Sequence, residues 1–255
     1  MGLLFIDSLL WICRIICIFM LYSKQEQRRE KMNFSLTFDR ETLGIIGVTL
    51  RMAFTSTAIS SVMGICFGLL LEKYRFPGKI IVVRICRTLM GTPPVVVGLV
   101  VYLLLMRKGP LGFMELLFTV RGMIIAQVLI ITPIITGMVY SYATRCASQI
   151  RSFARTMGAR PGQAALLLIR EMRSEIYFAI IAGFGRAISE VGSVMIVGGN
   201  IQYKTRTMTT AITLMYNRGN FSQAITLGIL LLLIAFVLQS LADFFHRDIF
   251  TEENI

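Results

Sequence analysis

Two residues of opposite charge, Arg186 and Glu190, lie within a long apolar stretch of this sequence. Their spacing of four residues places both on one face of a helix, and an unpaired charge in apolar surroundings is costly. We therefore predict that they pair with each other or with a second copy of the chain. Arg186 could act as a cation along the path of an anion, helped by backbone N–H groups at nearby glycines. The alternative is a structural clamp, which we favour because Glu190 would repel a dianion.

A second candidate site is a basic polar segment over residues 143–175. Gly158 and Pro161 predict a helix, a turn and a second helix within it, because glycine commonly ends helices and proline commonly starts them. A narrow apolar stripe on the first of these helices, flanked by arginines, comprises Phe153, Ala154 and Met157. Such a stripe either covers the protein's own helices or inserts into a groove on a partner.

Prolines interrupt two of the apolar stretches. Gly91-Thr92-Pro93-Pro94 breaks one and Pro133 breaks another, because proline lacks a backbone N–H and its ring clashes with the preceding helical turn. Broken helices at membrane depth are tolerated only where they are buried in protein or line a cavity. We therefore expect either a packing kink or a role in a transport path, and the Pro93-Pro94 pair favours the path more than Pro133 does.

The composition places these residues in a lipid environment. The 255 residues are 55% hydrophobic and 16% charged, and 26 Lys and Arg against 14 Asp and Glu give a net charge of +12. Soluble domains carry about 25% charged residues, so a soluble enzyme and a disordered protein are both disfavoured. The basic residues lie between apolar runs rather than on one polar face, which favours membrane loops over a nucleic-acid-binding surface.

The elements that must position the candidate residues are membrane-spanning helices, so the predicted fold class is an all-α polytopic membrane protein. A spanning helix needs about 20 mostly apolar residues. Five stretches meet that requirement: residues 43–71, 81–106, 122–142, 176–198 and 222–245. Basic residues cluster in segments 72–87 and 145–175, which predicts that both face the cytoplasm, with the start of the core outside and its end inside.

The first 31 residues form a separate N-terminal extension, ahead of a membrane domain over residues 32–255. Residues 3–22 are apolar but carry Asp7 and Arg14, and a basic run follows from Lys24 to Lys31. We expect an extra helix, a signal anchor, or upstream sequence translated from a wrong start.

The sequence offers no set of residues for catalysis or metal binding. Its five cysteines form no CxxC pair, its lone histidine is His246, and the motif G-x-x-x-x-G-K-[ST] is missing. We therefore predict no catalytic residue, no metal and no cofactor in this chain, and a separate subunit as the motor of any ATP-driven process.

Two stretches resemble a known family. Ala154, with Gly158 four residues on, lies in a basic loop before the penultimate span, which resembles the EAA loop of ABC-transporter permease subunits. Ser152 and Phe153 stand where that motif has Glu and Ala. Residues 183–201, with the sequence GFGRAISEVGSVMIVGGNI, closely resemble the permeases of oxyanion importers, the tungstate and molybdate group. The tungstate branch of that group is the most similar.

The resemblance implies a type I ABC importer transmembrane fold and a set of partners. ATPase subunits would dock inside on the EAA-type loop, and an extracytoplasmic oxyanion-binding protein would deliver the anion and largely set selectivity. Each chain has one coupling loop and so would bind one ATPase subunit. A transport path served by two ATPase subunits is therefore most simply built by a homodimer of this chain in the lipid. The expected ATPase-coupling residues are Ala154, Arg155, Met157, Gly158, Ala159 and Arg160. The residues expected at the translocation pathway or gate are Thr92, Pro93, Pro94, Arg186, Glu190 and Asn200.

The sequence leaves several alternatives open. Within the permease class, the cargo could be molybdate, phosphate, sulfate or thiamine instead of tungstate. Outside it, an ion-coupled secondary carrier would have to explain the oversized basic loop and would gain from intramembrane acids beyond Glu190. An intramembrane enzyme would need catalytic pairs that the sequence lacks.

Overall fold

The computed structural model describes residues 40–74 and 76–251 of the chain. The predicted N-terminal extension, including residues 3–22, and the side chain of His246 lie outside the described part. Within it the chain forms nine α-helices and one short 3-10 turn at Gly112–Met114. The helices are α1 Arg40–Lys73, α2 Lys79–Met90, α3 Pro94–Leu105, α4 Val120–Thr156, α5 Pro161–Glu171, α6 Arg173–Ser189, α7 Gly192–Gly198, α8 Met208–Asn217 and α9 Phe221–Thr251.

The described helices provide three to five candidate spans for the five that the sequence predicts. Three of them, α1, α4 and α9, are long and apolar enough to cross a membrane as single helices. The other two predicted spans correspond to bent pairs, in which α2 and α3 meet at 105° and α6 and α7 meet at 56°, and each pair is either a broken span or a re-entrant loop. The predicted all-α polytopic fold is therefore confirmed, with three to five candidate spans.

The break predicted at Gly91-Thr92-Pro93-Pro94 is present, whereas the one predicted at Pro133 is not. Helix α2 ends at Met90, and α3 begins at Pro94 with Pro93 as its N-cap. Pro133 instead lies inside the uninterrupted helix α4. The expectation of a break at Pro133 was therefore wrong, because proline is tolerated within membrane helices where the surrounding structure satisfies the freed backbone groups.

Small residues bring α1 and α4 into close contact. Ser56, Ser60, Gly64 and Gly68 recur every fourth residue on α1, and a Cβ atom added at Gly64 would lie 2.7 Å from Cβ of Ile135. Helices in lipid associate through such small-residue faces because the hydrophobic effect provides little attraction between them. This contact makes α1 and α4 the central pair of the fold.

Helix α4 is much longer than a bilayer is thick. Its 37 residues extend about 55 Å, whereas a hydrocarbon core measures about 30 Å. Residues 143–156, which the sequence analysis assigned to a loop, are therefore a helical extension of the third span. Hydropathy ended the span too early because the extension is basic and polar on its outer side, while Ala143, Ala147 and Ala154 are buried on its inner side.

The main core links this extension to the middle of the membrane domain. One cluster of buried residues contains Ile131 and Ile135 of α4, Phe184 of α6, and Leu168 and Met172 at the end of α5. Many side chains of α2 and α3 point outward instead, among them Ile80, Ile81, Val95, Leu99 and Leu103. The bent span thus presents an apolar surface to lipid or to another protein chain.

Candidate functional site

The turn between α4 and α5 explains why alanine and glycine stand four residues apart. Gly158 has φ +73, its N–H donates to the carbonyl of Arg155 at 3.0 Å, and the N–H of Ala159 donates to the carbonyl of Ala154 at 2.9 Å. This pair of bonds is a Schellman motif, in which a left-handed residue ends the helix. Glycine adopts that conformation without the penalty that a side chain brings.

Helix α5 then starts at Pro161, as the sequence predicted. The backbone N–H of Arg160 donates to Oε1 of Gln163 at 2.8 Å, and the side chain of Arg160 is exposed. Proline suits the first helical position because its missing N–H would have no partner there. The helix, turn, helix prediction is therefore confirmed, although the first helix is the end of α4 and not a short separate one.

The apolar stripe predicted on this segment divides into a buried part and an exposed part. Ala154 is only 2% exposed, whereas Phe153 is 60% and Met157 is 73% exposed. Leu166 of α5 is 68% exposed as well. We call Phe153, Met157 and Leu166 the apolar tip. Exposed apolar groups beyond the bilayer are typical of a protein-binding surface.

Leu166 was missed by the sequence analysis, and Phe153 was named in the stripe but not among the coupling residues. The signal for Leu166 was present in the sequence. Helix α5 has apolar residues on both faces, with Ala164 and Leu168 buried and Leu166 and Ile169 exposed. A helix that has filled its inner face and still carries apolar residues outside indicates a second binding surface.

The predicted pair of Arg186 and Glu190 is close but does not share a helix. Helix α6 ends at Ser189, and Glu190 has extended backbone angles. Nη2 of Arg186 lies 3.7 Å from Oε2 of Glu190, which is beyond hydrogen-bond distance. The spacing argument was incomplete because the helix stops within the four residues that it spans.

The carboxylate of Glu190 accepts a hydrogen bond from the polypeptide backbone. Its side chain is buried, and Oε1 accepts a hydrogen bond from the N–H of Ser193 at 3.1 Å. Its carbonyl accepts from the hydroxyl of Thr209 at 3.0 Å. The carboxylate therefore caps the start of α7, where a negative charge is favourable.

The structure brings the predicted break at Gly91-Thr92-Pro93-Pro94 next to the bend between α6 and α7, which the sequence did not predict. A Cβ atom added at Gly98 of α3 would lie 2.6 Å from Cα of Ser193, and one added at Gly192 would lie 2.7 Å from Cγ2 of Val95. The start of α3, which begins at Pro94 directly after Thr92 and Pro93, thus packs directly on the start of α7, which follows Glu190.

Asn200, the remaining predicted pathway residue, lies at the other end of α7. Its backbone has φ +50. Oδ1 accepts from Nε of Arg206 at 3.3 Å, and Nδ2 donates to the carbonyl of Thr210 at 3.4 Å. Arg206 in turn bonds Oε1 of Glu41 at 2.8 Å. Asn200 therefore organises the α7–α8 connection and is separated from Glu190 by the whole of α7.

Gln127 forms a polar bridge in the middle of the fold that the sequence analysis missed. Its Oε1 accepts from the hydroxyl of Ser56 at 2.7 Å, and its Nε2 donates to the carbonyl of Ala187 at 2.8 Å. All three groups are buried. A polar side chain within an apolar span was the available signal, because such groups in lipid need a partner.

Comparison with known proteins identifies the family. The description "binding-protein-dependent transport system inner membrane component" matches residues 64–251. The tungstate uptake system permease protein of Peptoclostridium acidaminophilum is 40% identical over 212 residues, which cover 83% of this chain and 93% of that protein. A probable anion ABC transporter permease protein of Haloferax volcanii is 40% identical over 209 residues, covering 80% and 90%.

A third relative, the tungstate uptake system permease protein of Campylobacter jejuni, is 36% identical over 166 residues, covering 65% of this chain and 70% of that protein. The family is one of permease subunits that function with ATPase subunits and binding proteins, and its members are multi-pass proteins of the cytoplasmic membrane. The bent spans, the long fourth helix and the turn at Gly158 fit its type I ABC importer fold. This chain therefore belongs to the binding-protein-dependent transport system inner membrane components, the permease subunits of ABC importers.

Proposed function

We propose that this chain translocates tungstate across the cytoplasmic membrane as the permease subunit of an ATP-driven importer. The observation that carries the proposal is the 40% identity to a tungstate uptake permease across 93% of that protein. Two copies of the chain, over residues 32–255, form the path. ATPase subunits bind them inside, and an oxyanion-binding protein delivers the anion outside. Residues 1–31 form a separate N-terminal extension, either an extra helix or a signal anchor.

The ATPase binds the apolar tip and the turn beside it. Met157 inserts into the partner while Arg155 and Arg160, both exposed, meet acidic groups on its surface. Gly158 and Ala159 set the angle between α4 and α5, and buried Ala154 anchors the turn. Because about half of α4 extends beyond the hydrocarbon core, the tip stands where a cytoplasmic subunit reaches it.

Movement of the ATPase reaches the path through packed side chains. Leu168 of α5 and Met172, which directly follows α5, belong to the same buried cluster as Ile131 and Ile135 of α4. Closely packed cores shift between discrete arrangements and do not deform gradually. A displacement of α5 therefore moves α4 and the spans packed on it.

The path runs beside the contact of α3 with α7. Thr92, Pro93 and Pro94 hold the bend that places α3 on α7, and Glu190 caps α7. The side chain of Arg186 is partly exposed and lies 3.7 Å from that of Glu190, and the two hold or gate the path there. Asn200 holds the outer end of α7. The outward apolar face of α2 and α3 faces lipid or the second copy.

Anion-dependent ATP hydrolysis tests this proposal. Membranes containing the chain, its candidate ATPase and its candidate binding protein would be assayed for vanadate-sensitive hydrolysis with tungstate, molybdate, sulfate or phosphate. We expect tungstate to stimulate hydrolysis above the other anions. Stimulation by a different anion would contradict the substrate, and failure to associate with any ATPase would contradict the coupled mechanism.

A further inference from the structure

A basic groove opens at one end of the membrane domain, the end where the turn at Gly158 lies. It has a volume of about 420 Å³ and lies between the end of α1, the start of α2 and the extension of α4. The cations that line it are Lys73, Lys79, Arg151 and Arg155. A neighbouring cavity of about 240 Å³ shares three of these residues and continues to Pro161 and Ala164 of α5.

The groove has more positive charge than its own carboxylate can balance. Glu72 is its single acidic lining residue among the described side chains, and both oxygens of that carboxylate are bound by Arg151. Within the described part of the chain, no carboxylate lies within salt-bridge distance of Lys73, Lys79 or Arg155. Like charges that line one groove repel one another, and a bound anion relieves that repulsion.

Two of the four cations, Lys79 and Arg151, are held in position, which favours a specific ligand over a diffuse ion cloud. Nζ of Lys79 donates to the backbone carbonyl of Glu72 at 3.3 Å and lies 5.5 Å from the centre of the Tyr140 ring. Arg151 is fixed by its contact with Glu72. Lysine contributes a compact charge and arginine a planar fork, and both recognise phosphate-like oxygens.

The size and position of the groove further restrict the class of ligand that it can bind. Its volume lies within the range of about 300 to 1,000 Å³ that is typical of small-ligand sites. Thr144 and Ser148 add hydroxyls to the wall. The positive-inside rule places this end of the protein at the cytoplasmic face, where anionic lipid head groups are concentrated.

We propose that the basic groove binds a phosphate-like oxyanion, supplied either by the head group of an anionic lipid or by a free oxyanion in the cytoplasm. The ligand joins α1, α2 and α4 and lies next to the turn that meets the ATPase. It thereby regulates the position of α5 from a site separate from the transport path.

Lysine labelling in lipid nanodiscs tests the proposal without the ATPase or any transport step, so its failure is distinguishable from failure of the proposed function. The full chain would be placed in discs of phosphatidylcholine alone, in discs with added phosphatidylglycerol, and in phosphatidylcholine discs with inorganic phosphate or tungstate. Acetylation rates at Lys73 and Lys79 would be measured by mass spectrometry, with Lys108 and Lys204 as reference residues. We expect slower labelling at the groove lysines alone.

The arms of the experiment separate the two sources. Protection by phosphatidylglycerol assigns the site to a lipid head group, and protection by the added anions assigns it to a free oxyanion. Arg155→Gln should weaken the apparent affinity about fivefold. The matched control Arg145→Gln changes an exposed residue of the same helix that lies outside the groove and should have no effect. Absence of protection in every arm, equal slowing at the reference lysines, or equal effects of the two variants would overturn the proposal.

Discussion

Arg151 near the end of α4 forms a bidentate ion pair with both carboxylate oxygens of Glu72 at the end of α1, and its Nη1 lies 3.0 Å from Oε1. A two-pronged contact of this kind combines charge with fixed geometry. The pair joins α1 to α4 on the side that carries the turn at Gly158. It therefore keeps the extension of α4 aligned with α1.

A double-mutant cycle on this pair should show a measurable coupling energy. Glu72→Gln, Arg151→Gln and the double variant would be compared by reversible unfolding in detergent. Because Arg151 is about one-third exposed, solvent screening limits the expected coupling to about 1 kcal/mol. Arg145→Gln serves as the control for loss of a neighbouring charge. Strictly additive effects of the two substitutions would show that the contact contributes nothing.

Gly158→Ala should impair coupling while Gly162→Ala does not. An added Cβ meets no atom within 4 Å at either position, but only Gly158 has a positive φ. The left-handed conformation costs a side chain roughly 1 to 2 kcal/mol, which would loosen the turn on which the apolar tip depends. ATP hydrolysis stimulated by the binding protein should fall for Gly158→Ala at unchanged protein levels. Equal hydrolysis by the two variants would remove the turn from the coupling mechanism.

Gln127→Leu should destabilise the membrane domain, because it leaves the hydroxyl of Ser56 and the carbonyl of Ala187 without their shared partner. The expected loss is about 1 kcal/mol, the usual size of hydrogen bonds between membrane helices. Gln149→Leu provides the control, since Gln149 is exposed on the same helix. Unfolding in detergent distinguishes the two variants, and identical midpoints would argue that the bridge is energetically neutral.

The variants Glu190→Gln and Glu190→Leu distinguish two roles of Glu190, a structural clamp and a gate that depends on its negative charge. The amide retains an oxygen that accepts from the N–H of Ser193, whereas leucine leaves that buried donor unpaired. If Glu190 is a clamp, Glu190→Gln should keep most tungstate-stimulated ATP hydrolysis and Glu190→Leu should reduce the amount of assembled complex. A loss of transport in Glu190→Gln with normal assembly would instead assign a role to the negative charge.

Much of the fold could be predicted from the sequence because the bilayer imposes a minimum length on each span. The break at Pro93-Pro94 and the turn at Gly158 were also predictable, since proline and glycine act through their own backbones. The uninterrupted helix at Pro133 was not, because tolerance of a proline within a membrane helix depends on the structure around it. Tertiary packing decides whether a proline interrupts a helix, and the order of residues in the sequence does not show that packing.

The candidate site was only partly predictable for the same reason. The proximity of Arg186 and Glu190 followed from their spacing, but the role of Glu190 depends on α7 starting two residues later. Residues that meet across helices, such as Gln127 with Ser56, have no local sequence pattern that names their partner. Leu166 was predictable in principle, because apolar residues on both faces of α5 indicate a second contact.

Tungsten accumulation in cells tests the central claim most directly. A strain whose own tungstate permease gene is deleted would express this chain with its ATPase and binding protein, and cellular tungsten would be measured by mass spectrometry at low external tungstate. We predict accumulation that depends on ATP hydrolysis and is lost when the chain is omitted. Cellular tungsten at the level of the deletion strain, with the three proteins assembled in the membrane, would contradict the assignment.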